Sequence, residues 1–523
     1  MSFFSIEALL VYATFFWFFW KAFRERVLKS SLDNIPGPPS QSLLKGVFPQ
    51  FFNPNAWDFH KEIAEKYGSV IRIKALFGAN QLFVFDPLAM HHVIVKDQNA
   101  YEETRSFAEG NRLAFGPGLL GTYVPTFYNV TYKLKGTFMK KVANGPQEID
   151  ILSWMTRTAL ELIGQSGLGY SFDSLEENSV PHPYSKSIKE YAPTVFKVVF
   201  WRTYFLPFLL KIGSPKFYRR LIDFVPWRTL HELRDMSDIM YKTSVEIYES
   251  KKAALAAGDE AVSQQIGQGK DILSILMRAN MEASEEESLT EEELLAQMST
   301  LTFAAMDTTS GALARTLSIL ATHQDAQDRL RREIVEAKKL HGELGYDELV
   351  SLPYLDAVCR ETLRLYPPVS FMPRTTTQDV ILPLSKPIRG VDGQEIQKIP
   401  LPKDTNVHVG ILASNRNPEI WGSDSYEWKP ERWLKPLPET VTAAHIPGIY
   451  SHLMTFLGGG RACIGFKFSQ LEMKVVLAVL IESFRFSPSK KEIFWQMNGI
   501  ASPVVLDSEE GHHQLPLVVE LAA

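Results

Sequence analysis

The chain has 523 residues, 45% of them apolar, with a net charge of −5 and a pI near 6.2. That length and apolar content suffice for a large buried core, and the acidic balance gives no footprint for nucleic-acid binding. Two cysteines, Cys359 and Cys463, are too few for a disulfide framework or a four-ligand structural zinc site, and they point to a reducing compartment.

The first element is apolar. Phe3 to Trp20 holds one charge, Glu7, in eighteen residues. A helix of that length spans about 27 Å, against a hydrocarbon core of about 30 Å. Lys21, Arg24, Arg26 and Lys29 follow it and no Lys or Arg precedes it, so the positive-inside rule places the bulk of the chain in the cytosol. A signal peptide would carry its cations ahead of the apolar stretch and a small-residue cleavage site behind it. Residues 1–22 therefore read as an uncleaved single-pass anchor and 23–40 as a basic, proline-rich hinge. Ile35-Pro-Gly-Pro-Pro39 stiffens that hinge, because proline fixes φ.

No linker follows residue 40, so 41–523 read as one catalytic domain. Helical periodicity dominates it, with short strand-like runs at Val70 to Ile73, Gln81 to Phe85 and Val407 to Ile411, which predicts a mainly α fold with small β-sheets. Residues 190–230 are crowded with aromatics, among them Tyr191, Phe196, Trp201, Phe217 and Phe224. Aromatics at helical spacing read first as core, although the Arg and Lys between them suit a surface dipping into a membrane interface. The acidic run Glu282 to Glu293 reads as a solvated loop ahead of a long helix. Thr290 and Glu293 have the spacing of a capping box, and the apolar run behind them extends to about Thr322. Asp307 and Thr308 then fall mid-helix, where the threonine hydroxyl can bond the carbonyl of Ala304, four residues back, and bend the helix. Glu361 and Arg364 share one helix face at i, i+3 spacing.

The most informative segment comes last, at Phe456-Leu-Gly-Gly-Gly-Arg-Ala-Cys-Ile-Gly465, directly ahead of a helical pattern from Phe466 to Phe484. Cys463 would stand at that helix's N-terminus, where backbone N–H groups and the helix dipole stabilise a thiolate. Gly459 and Gly465 permit positive φ or close approach of the backbone to a flat cofactor. Arg461 supplies a forked cation suited to a carboxylate. A thiolate, a flat surface and a carboxylate partner together describe haem.

The segment fits F-x-x-G-x-R-x-C-x-G at every specified position, and so resembles the haem-ligand signature of the cytochrome P-450 superfamily. Three more segments resemble that family in the right order: Ala304-Ala-Met-Asp-Thr-Thr309, with Ala305 where glycine is usual, Glu361-Thr-Leu-Arg364, and Trp428-Lys-Pro-Glu-Arg-Trp433. The proline-rich hinge is similar to that of microsomal members, fungal ones among them. The resemblance implies the cytochrome P-450 fold behind one transmembrane helix, with haem b as cofactor and Cys463 as its axial iron ligand. It implies Arg461 and Arg374 at the propionates, with Phe456, Gly459 and Gly465 shaping the ligand loop. Asp307 and Thr308 would order water and relay protons during oxygen activation, and Glu361, Arg364 and Arg432 would form a buried charge network.

The activity so implied is a monooxygenase acting on a lipophilic small molecule, such as a terpenoid secondary metabolite. Its electrons would come from NADPH through a separate flavoprotein reductase, with cytochrome b5 as a second candidate donor, at the endoplasmic reticulum membrane. Phe303, Ala304, Val369 to Phe371 and Asn498 to Ala501 are the expected pocket lining. The chain departs from the family after Gly116-Pro-Gly-Leu-Leu-Gly121, where a propionate-contacting helix is expected and Tyr123 to Val130 follows directly. Lys133, Lys135, Lys140 and Lys141 are the candidate replacements. That departure keeps open a catalytically impaired haem binder. A haem-thiolate isomerase or dehydratase is the other alternative, although it would have little use for Asp307 and Thr308.

Overall fold

The longest helix follows from its cap. Thr290 Oγ1 accepts the Glu293 N–H at 3.3 Å and the Glu293 carboxylate accepts the Thr290 N–H at 2.8 Å, so the expected capping box is formed. Such a box satisfies two of the N–H groups that a helix start leaves without partners. The computed structural model describes residues 30–42, 44–102, 117–198, 201, 215–284, 288–506 and 513–522. The helices that bear on the site are α1 (Pro117–Lys141), α2 (Ile151–Ile163), α3 (Pro183–Lys197), α4 (Arg228–Ala257), α5 (Glu291–Thr322), α6 (Pro353–Leu365) and α7 (Phe466–Ser483). The strands are β1 (Val70–Lys74), β2 (Asn80–Val84), β3 (Tyr101–Glu102), β4 (Gln147–Asp150), β5 (Met372–Thr376), β6 (Val380–Arg389), β7 (Glu395–Leu401), β8 (Asn406–Val409), β9 (Phe484–Pro488), β10 (Ile493–Asn498), β11 (Ile500–Val505) and β12 (Pro516–Leu521). The expected mainly helical fold with small sheets is what forms.

The chain divides into two compact units, one of residues 1–111, 369–427 and 437–463, the other of 112–368, 428–436 and 464–523. It passes between them several times, which is why no linker is visible in the sequence. In the first unit β1, β2, β8, β5 and β3 form a sheet in that order, with β2 and β8 parallel and the other pairs antiparallel. The three strand-like runs of the sequence become β1, β2 and β8. Of the hinge, the Pro36 carbonyl accepts the Arg72 N–H at 2.9 Å, so the proline-rich stretch lies against β1. The anchor expected over residues 1–22 lies outside the described residues, among which no helix is long and apolar enough to cross a membrane.

In the second unit α5 packs against α2, α4, α6 and α7. α7 is buried nearly all round, with Leu471, Val475, Val476, Val479 and Leu480 in the core and the charged Glu472 and Lys474 buried among them. The β10–β11 hairpin is fixed against α5 at two points. The Ala501 carbonyl lies 3.5 Å from where a Cβ on Gly311 would stand, an ordinary contact, and the Arg315 guanidinium lies between the rings of Tyr366 (4.0 Å) and Trp495 (3.8 Å). Two expectations change here. Trp201, Phe217 and Phe224 are exposed, so they do not belong to the core. The acidic run is not all loop, because Glu282 ends a helix and Glu291 to Glu293 form the first turn of α5, where carboxylates suit the helix dipole.

Candidate active site

Within the first unit, Phe456 to Cys463 is closed on itself. The Cys463 N–H donates to the Phe456 carbonyl at 2.9 Å and the Ala462 N–H to Gly459 at 3.2 Å. Gly459 has φ 68°, and a Cβ there would stand 2.0 Å from the Ile94 carbonyl. Only glycine fits, and for a reason the sequence did not disclose, since the close approach at Gly459 is to another stretch of backbone. Gly465, the residue ahead of α7, has nothing within 4 Å of a notional Cβ. Arg461 donates through Nη1 to the Tyr101 carbonyl at 2.8 Å, which anchors the loop to β3. Arg374 is buried in β5, opposite Val407, and donates to the Pro373 carbonyl at 2.9 Å.

The two cysteines differ sharply. Cys463 is exposed, whereas Cys359 is buried within α6 and burial pushes its thiol up to about 12. A ligand must be deprotonated and reachable, so the donor set leaves Cys463.

In the second unit, Thr308 Oγ1 donates to the Ala304 carbonyl at 2.7 Å, the expected back-bond, while α5 stays helical from end to end. Asp307 is buried and paired with Lys189 of α3. Glu361 collects five donors. Arg364 gives Nε and Nη2 at 2.9 and 2.8 Å, Trp433 its indole N–H at 2.9 Å, Lys429 its backbone N–H at 3.0 Å, and Arg432 Nε at 3.5 Å. Glu361 and Arg364 are fully buried. The carboxylate therefore joins α6 to the 428–436 segment. Of the proposed pocket lining, Ala304 shares a helix face with Thr308, and Phe371 belongs to an aromatic cluster with Phe51, His60 and His408.

The family model for Cytochrome P450 matches residues 91–510. The chain belongs to the cytochrome P-450 family. Among its relatives, a cytochrome P-450 monooxygenase of Postia placenta is 54% identical over 516 aligned positions, 94% of each chain. A ganoderic acid synthetase of Ganoderma lucidum is 41% identical, covering 97% of each chain, and a cytochrome P-450 monooxygenase of Hericium erinaceus is 37% identical, covering 99% of each.

The residues present fit the family's haem. An exposed thiol sits on a backbone-closed loop, with open space at Gly465 beside it in the chain. Coverage of 94% of 523 residues is about 492, so about two dozen of the 516 aligned positions hold a residue of the Postia relative and none here. Locally, Tyr123 to Val130 is continuous helix within α1, with no break at which a further helix enters. Of the candidate replacements for its cation, Lys141 is paired with Glu177 at 2.7 Å and Lys135 lies over the Tyr132 ring.

Sequence reasoning missed Lys189 and the Trp433 and Lys429 donors, because contacts 118 or 72 positions apart leave no local pattern. It also missed Glu472 on α7, whose two buried carboxylate oxygens have no partner among the described residues and whose carboxyl burial pushes well above the usual range.

Proposed function

We propose that this cytochrome P-450 monooxygenase is a haem-thiolate enzyme of the endoplasmic reticulum membrane, inserting one oxygen atom of O2 into a lipophilic secondary metabolite such as a terpenoid. The Cys463 loop carries this reading. NADPH supplies electrons through a separate reductase, with cytochrome b5 as a second donor. When bound, haem would activate oxygen, and a cysteine thiolate on its iron would favour O–O cleavage. Cys463 Sγ would hold the iron, Arg461 and Arg374 would hold the propionates, and Phe456, Gly459 and Gly465 would shape the loop. Thr308 Oγ1, already a donor to the Ala304 carbonyl, orders water beside the reacting centre, and Asp307 supplies protons to it. Glu361, Arg364 and Arg432 keep the 428–436 segment in place. Exposed Trp201, Phe217 and Phe224, with the apolar Phe3 to Trp20, support membrane association. The ganoderic acid synthetase relative supports a secondary-metabolite substrate.

The test is the reduced, CO-treated spectrum of the membrane fraction. A Soret band shifted far to the red reports the thiolate ligand, and NADPH-dependent oxygen uptake with a reductase reports turnover. An unshifted band ends the reading. The departure from the family pattern after Gly121 supports a second reading, a haem binder impaired in turnover, since a buried propionate without its cation weakens cofactor retention. That reading predicts faster haem transfer to an acceptor protein than from a version with a family-like helix inserted between Gly121 and Val124. Equal transfer rates would retire it.

A further inference from the structure

Asp307 is the acid of the proposed proton-handling pair, and its surroundings are unusual for a group that must move protons. Its side chain is 6% exposed, and among the described residues its one partner is the ammonium of Lys189. The two sit on α5 and α3. A turn and a half earlier on α3, Tyr184 is 1% exposed, with its hydroxyl among Thr302, Ser299 and Ser244, so α3 is seated on α5 and α4 through a polar patch as well as through the ion pair. Lys189 also lies within electrostatic reach of Asp150, whose Oδ1 already accepts the Leu515 N–H at 2.9 Å. Asp307 is the carboxylate it contacts.

Neighbouring residues on an α-helix point about 100° apart, so Asp307 and Thr308 do not face each other. Thr308 is turned to the Ala304 carbonyl, and Asp307 to α3. A buried charge that loses its counter-ion is strongly disfavoured, so whatever holds the ammonium in place also decides where the carboxylate lies.

We propose that Lys189 is a positioning residue for Asp307, fixing its carboxylate between α3 and α5 so that the seating of α3 governs delivery of protons toward Thr308. This rests on the reading of Asp307 and Thr308 as the proton-handling pair.

The test uses the full chain loaded with haem, and variants Lys189→Met, Asp307→Asn and the two combined. The urea midpoint of Lys189→Met should fall below that of Asp307→Asn, and adding Asp307→Asn to Lys189→Met should raise it again, because no uncompensated buried charge remains. Additive midpoints overturn the proposal. Hydrogen exchange of the 303–310 amides should quicken in Lys189→Met and return to the parent rate in Lys189→Arg. With a reductase, Lys189→Met should slow NADPH-driven oxygen consumption by about tenfold, part of the roughly 10² to 10⁴-fold that a positioned proton carrier contributes. Its solvent deuterium isotope effect should change too. Ser187→Ala, on the same helix, should leave both as they are. If Thr308→Ala and Asp307→Asn leave the isotope effect unchanged, the pair reading fails. If they change it and Lys189→Met does not, the role of Lys189 alone fails. Should Lys189→Met not fold while the combined variant does, the dependence on Asp307 is shown by that rescue. Failure of both to fold while Asp307→Asn folds counts against it.

Discussion

Glu361→Gln is the substitution for which the structure sets the magnitude most directly. The side chain keeps its volume and loses its charge. Five donors reach the carboxylate, two oxygens serving Arg364, Trp433, the Lys429 N–H and Arg432. An amide has one acceptor oxygen and turns an N–H2 group toward donors, whichever way it is flipped. Removing one partner of a buried ion pair costs about 3–5 kcal/mol, and each donor left facing a donor adds about 1–3 kcal/mol before relaxation. We expect a loss of at least about 3 kcal/mol, a large part of a total stability of about 5–15 kcal/mol. Urea unfolding followed by tryptophan fluorescence measures it. The control is Glu419→Gln, whose partner Lys386 lies 3.0 Å away with both side chains more than 70% exposed, and which should cost less than about 1 kcal/mol. Equal losses in the two variants would refute the claim that burial makes the Glu361 network strong.

Three other outcomes follow from the same geometry. Cys463→Ala should abolish the red-shifted CO band and Cys359→Ala should keep it; a normal band in the Cys463 variant refutes the ligand assignment. Thr308→Ala removes one back-bond, about 1 kcal/mol or less of stability, and should divert electrons from product to hydrogen peroxide, read as product formed per NADPH consumed. For Glu472 the folded carboxyl is raised above its unfolded value, so the folded state holds a proton that the unfolded state releases above about pH 4.3. Stability therefore falls as pH rises from that value toward the folded one. Glu472→Met should remove the fall and gain about 1–3 kcal/mol at pH 8, whereas parallel urea midpoints at pH 5 and pH 8 for parent and variant would sink it.

What the sequence disclosed was what is local. The Thr290–Glu293 box, the Thr308 back-bond and the runs that became β1, β2 and β8 each depend on spacings of two to four residues. Glu361 and Arg364 were legible for the same reason, but the Trp433 indole that completes their site comes from 72 positions away. Glu472 reads in sequence as an ordinary helix charge, and nothing short of packing reveals that α7 buries it. Trp201, Phe217 and Phe224 read as core and are exposed, because periodicity reports a face, and composition does not say whether protein, solvent or lipid covers that face.

The clasp on the β10–β11 hairpin bears on how such an enzyme acquires new chemistry. Its hold on α5 comes from a backbone carbonyl beside Gly311 and from Arg315 lodged between Tyr366 and Trp495, so the Ile500 side chain is no part of these two attachments. Ile500, proposed to line the pocket, can therefore be exchanged on a perch that stays where it is, whereas Gly499, at φ 81°, is held to glycine. Gene copies could drift in what they accept through substitution at Ile500 with neither attachment to α5 disturbed.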